Sequence, residues 1–118
     1  MSVAHTTTQE LLDIRSLREI AGEDVLFVLR VLDLFASTVP LQLVELRDSI
    51  QAGDLTTAQR IAHHIKGASQ SIGAGQMAEW TQRLESNLTD SPTEVALSLL
   101  VKLETVWDQT LVAVRGEA

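Results

Sequence analysis

The chain has 118 residues, 45% of them hydrophobic and only 3% aromatic, no cysteine, and a formal net charge of −7. That length and apolar content give one domain, residues 1–118, with its own core, and exclude a disordered chain. The missing cysteines exclude disulfides, thiol catalysis and thiolate zinc sites, and the acidity speaks against a general nucleic-acid or anionic-membrane binder. The opening MSVAHTTTQE lacks the basic-then-apolar pattern of a signal peptide. No apolar run approaches the roughly 18 residues of a membrane span, so the expectation is a cytoplasmic protein without membrane contact. A core of Leu, Val, Ile and Ala, with six Gly and two Pro, favours helices.

In chain order, Thr7 and Glu10 have capping-box spacing, and Leu11, Leu12, Ile14, Leu17 and Ile20 predict one short amphipathic helix that Gly22 stops. Glu23 or Asp24 opens a long helix carrying Leu26, Leu29, Leu32, Phe35 and Val39, then Leu41, Leu43, Val44, Leu46 and Ile50. Pro40 is expected to kink it, since proline lacks a backbone donor and crowds the preceding turn; two stacked helices are the alternative. Gly53-Asp54 marks a stop followed by a cap, and a third helix runs from about Leu55 to Ile72, ended by Gly73 and Gly75. A fourth spans about Gln76 to Leu88 with Met77, Trp80, Leu84 and Leu88 on one side. In Ser91-Pro92-Thr93-Glu94, Ser as cap, Pro at the first position and Glu three residues on start the last helix. Its apolar face uses Val95, Leu99, Leu103, Val106, Thr110, Leu111 and Val114. These elements predict an all-α fold: an antiparallel up-down four-helix bundle with an additional short N-terminal helix as a lid.

The third helix holds the stretch AHHIKGASQSIGA, Ala62 to Ala74, in which two adjacent histidines precede a lysine and a glycine. None of the sixteen acidic residues falls between Leu55 and Ala78, so this segment is locally positive. With His63 at zero and about 100° per residue, Ile61, Ala68, Ile72 and Ile65 fall between about 140° and 200°, which predicts the core face. His63 therefore points into solvent, with Gln59, Lys66, Gly67 and Gln70 within about 60° of it. His64, near about 100°, reads as an ordinary boundary residue. His5 lies near the N-terminus with no nameable partner.

An exposed histidine is most simply a solvated one, but three features here ask for more. Lys66 is one turn away, close enough for its ammonium to reach the same place. Gly67 sits in a helix interior, where it costs about 1 kcal/mol relative to Ala, a loss that makes sense if the missing side chain clears space beside the imidazole. The acid-free run removes charges that would repel an anion. A neutral imidazole can attack phosphorus and hold a phosphoryl group covalently, with a lysine to offset the charge on its oxygens.

These residues resemble the phosphoacceptor signature of histidine-containing phosphotransfer (HPt) domains: Ala62-His63, the variable His64, Ile65, Lys66-Gly67, the small Ala68 and Ser69, then Ile72-Gly73-Ala74. Phe35, Pro40, the capping Asp54 and the pair Leu84-Glu85 fit the family more loosely. The resemblance implies that His63 is the phosphoacceptor, that Lys66 stabilises phosphoryl charge and that Gly67 provides access. Gln59, Gln70, Ser69 and Glu85 are accessory or docking residues, and Glu85 can face the acceptor. It implies an intermediate of a two-component phosphorelay, taking the group from a receiver phosphoaspartate and passing it to another receiver aspartate. The partners are then receiver domains of hybrid sensor histidine kinases and of response regulators. Magnesium is expected on the receiver and no cofactor or metal on this chain. It would work as a monomer, through a modest, transient interface.

Three other readings are weaker. An ATP-dependent kinase needs a glycine-rich ATP lid and a nucleotide-binding domain, and the chain has neither. A phosphate-free interaction module would not need His63, Lys66 and Gly67 together. A di-metal bundle uses a Glu-x-x-His pair that is absent here, and adjacent histidines diverge by about 100° on a helix. The initiating Met and the complete bundle lean towards a free-standing protein.

Overall fold

The computed structural model describes residues 7–117, and His5 lies outside them. Six helices follow in order: α1 Thr8–Leu11, α2 Arg15–Ala21, α3 Val25–Gln51, α4 Leu55–Ile72, α5 Gly75–Asn87 and α6 Thr93–Gly116. No strand occurs among the described residues. Helices α3 to α6 pack each on its neighbour in sequence, and α6 returns to α3, which closes the expected four-helix bundle. The core is aliphatic, with Val39, Leu46, Ile65, Met77, Leu84, Leu100 and Leu103 fully buried. Its aromatic contribution is Phe35 packed edge-on against Trp107 at 5.3 Å between ring centres.

The helix ends follow from local chemistry. Asp54 caps α4, accepting from the Thr57 backbone N–H at 3.2 Å and from its hydroxyl at 2.6 Å. Those bonds, the hydroxyl's first, hold the Asp54 carboxyl below the usual aspartate range. Gly73 ends α4 in the left-handed conformation, φ 85°. Helix α3 runs through Pro40 as one element, so the carbonyl one turn earlier lacks its helical donor.

Several sequence expectations need correction. The N-terminal helix is two short ones, because Leu12 is extended and the Asp13 N–H donates to the Gly73 carbonyl at 2.9 Å instead of continuing the helix. Ile20, expected on the apolar face, is 77% exposed. On α3 the buried line is Val28, Leu32, Phe35, Val39, Leu43, Leu46 and Ile50, whereas Leu26, Leu41 and Val44 face solvent. Ser91 does not cap α6. Its hydroxyl donates to Asn87 Oδ1 at 2.8 Å, and Pro92 occupies the cap position. On α6 the expected Leu103, Val106, Thr110 and Val114 are buried, joined by Ala96, Leu100, Trp107 and Ala113, whereas Leu99 and Leu111 are half-buried and Val95 is exposed. By length and composition α3 could cross a membrane, with a mean hydropathy of 1.6 over its most apolar window, but its inward line is part of the bundle core.

Candidate functional site

His63 lies in the middle of α4 and points away from the core, its side chain 67% exposed. The helix is rotated so because Ala58, Ile61, Ala62, Ile65 and Ile72 occupy the buried face. Its neighbour α5 contributes Glu85 and Gln82 to the same spot, since burial of Met77, Thr81 and Leu84 turns the positions just after Thr81 and Leu84 towards α4. One Glu85 oxygen lies 3.5 Å from His63 Nδ1, and the other accepts from Lys66 Nζ at 2.8 Å. Gln82 Oε1 accepts from the same ammonium at 2.9 Å. Lys66 thus leans across to α5 and is only 17% exposed, unlike the histidine it accompanies.

The remaining sequence candidates divide. At Gly67 an added Cβ would meet nothing within 4 Å, so the protein's own packing does not require the glycine. Gln70 is exposed and Gln59 half-buried on the helix that carries His63, and His64 is exposed. Ser69 is a correction: it is fully buried, its hydroxyl donating to the Ile65 carbonyl at 2.7 Å, and it has no surface to offer a partner. Ala68, expected in the core, takes the exposed position instead. With Ser71 it borders an open groove of about 420 Å³ whose other wall is Val31, Leu34, Phe35 and Thr38 of α3. Gln82 was not legible from the motif. The available signal was its place one turn before Glu85 on the same helix face.

Chemically the arrangement is an accessible imidazole, with a carboxylate oxygen 3.5 Å from its Nδ1 and an ammonium bound to that carboxylate. Among the described residues no three His, Asp or Glu side chains are grouped to hold a metal ion.

The sequence profile of the Hpt domain matches residues 30–117, which contain every element of the site. The fold is similar to that of the HPt domain of a hybrid sensor histidine kinase from Shewanella, with a TM-score of 0.74 at 19% identity over 92% of this chain and 93% of that one. No curated protein sequence matches the chain.

Proposed function

The chain belongs to the Hpt domain family, whose role is phosphotransfer in two-component phosphorelays, and from that premise we propose that His63 is its phosphoacceptor. The observation that carries this reading is the environment of His63: outward, with Glu85 behind one ring nitrogen. A carboxylate 3.5 Å from Nδ1 favours the tautomer that keeps its proton there and leaves the Nε2 lone pair free for attack. That lone pair attacks the phosphorus of a receiver's phosphoaspartate. The bond between phosphorus and the carboxyl oxygen breaks, and its electron pair returns to the aspartate. The imidazole gains a positive charge, which Glu85 offsets, while Lys66 faces the phosphoryl oxygens. Reversal of these steps delivers the group to a second receiver. The receiver supplies the magnesium, and the bundle needs no nucleotide.

The groove between α3 and α4 opens beside this face, and the open space at Gly67 lets a receiver come close. The test is labelling from a phosphorylated receiver domain. His63→Gln should take up no phosphoryl group while keeping its helical circular dichroism, and His64→Ala should retain most transfer. Label on the His63→Gln variant equal to wild type would end the proposal.

A further inference from the structure

Lys66 is held by more than its carboxylate partner. An ammonium has three N–H donors; Glu85 Oε1 and Gln82 Oε1 each accept one, at 2.8 and 2.9 Å. The Gln82 amide is itself fixed. Its Nε2 donates to the Ser86 hydroxyl oxygen at 3.0 Å, and that hydroxyl donates to the Gln82 backbone carbonyl at 2.9 Å. Because the hydroxyl proton is spent on the carbonyl, Ser86 offers only lone pairs to the amide. Flipping the amide would set its oxygen against them. The amide oxygen is thereby committed to the ammonium.

From this geometry, and resting on the phosphorelay reading above, we propose that Gln82, locked by Ser86, is a positioning residue that fixes the Lys66 ammonium beside the phosphoacceptor. Its neutrality matters. Glu85 already balances the ammonium, and a second carboxylate would leave the group negative and repel an incoming phosphoryl oxygen. A neutral amide adds a second point of attachment without charge, and the third N–H stays available to the phosphoryl group. Gln82 acts on the reaction only through Lys66.

The probe is phosphoramidate, which removes receiver docking from the measurement. Nε2 attacks its phosphorus, the P–N bond breaks, and the nitrogen leaves as ammonia with a proton from water. The rate of phosphohistidine formation is followed in wild type, Gln82→Met, Ser86→Ala, Lys66→Met and the doubles that combine Lys66→Met with each of the first two. Gln82→Met should slow labelling by about three- to tenfold, and Ser86→Ala by less. In the Lys66→Met background neither should slow it further, since the residue they act through is gone. Equal labelling of wild type and Gln82→Met overturns the proposal, as does a slowing that multiplies with that of Lys66→Met. Should Gln82→Met lose its helical signal, the Ser86→Ala pair decides by the same criterion. A folded wild-type chain that takes no label at His63 overturns the phosphorelay reading itself, a distinct result.

Discussion

At Gly67 the free protein and the proposed receiver complex make opposite demands. A methyl group there meets no atom within 4 Å, and alanine is the better residue in a helix interior by about 1 kcal/mol. Gly67→Ala is therefore expected to stabilise the isolated chain by up to about 1 kcal/mol, read as a higher urea midpoint. The same methyl stands one turn from His63, which a receiver approaches in the proposed in-line transfer. Transfer from a phosphorylated receiver should slow by about tenfold or more; wild-type transfer would remove the steric reason for the glycine. The outward direction of His63 was legible because Ile61, Ile65 and Ile72 fix the buried stripe by themselves. The places of Ala68 and Ser69 were not, because hydrophobicity alone ranks alanine as the more buried of the two. A helical serine whose hydroxyl bonds its own backbone leaves nothing unsatisfied, and Thr81 and Thr110 are buried by the same device. The real stripe is thus rotated by about 40° from the expected one.

Between elements, the junction of α4 with the N-terminal segment turns on Gly73. Its φ of 85° lies where a side chain is strained, and an added Cβ would sit 1.8 Å from the Asp13 carbonyl oxygen. That overlap is with backbone, so no rotamer relieves it. Gly73→Ala should destabilise the fold by at least about 2 kcal/mol, from the left-handed conformation alone, and more from the displaced segment. Urea unfolding measures it, and a change below about 0.5 kcal/mol would mean that the contact between Asp13 and Gly73 does not hold in solution. The α4 boundaries were readable from Asp54 and Gly73, because caps are local chemistry. The break at Leu12–Ile14 was not, because its cause is a hydrogen bond to a residue some sixty positions away. The start of α6 shows the same limit on a smaller scale, since Ser91 spends its hydroxyl on Asn87.

The whole molecule presents two unlike faces. On one, α4 carries the exposed His63, the open space at Gly67 and, further along, Ala68 and Ser71, which border the groove whose lining includes Leu34, 66% exposed. The acid-free run of α4 belongs to this face, in a chain that is otherwise strongly acidic. Its presence was legible as a gap in the charge pattern. The groove was not, because it needs Val31, Leu34 and Thr38 of one helix placed beside Ala68 and Ser71 of another. On α6, Val112 is 73% exposed and lines no part of the groove. If receivers dock over the groove as well as His63, Leu34→Gln should weaken receiver affinity by about tenfold, as loss of an apolar contact at an interface does. Val112→Gln should leave it unchanged. Both positions are exposed, so each variant should keep its stability within about 0.5 kcal/mol of wild type. Labelling by phosphoramidate needs no docking and should be equal in all three proteins. The groove is the docking site only if Leu34→Gln separates these two measurements; equal receiver affinity for Leu34→Gln and Val112→Gln would move the docking surface elsewhere while leaving the chemistry at His63 intact.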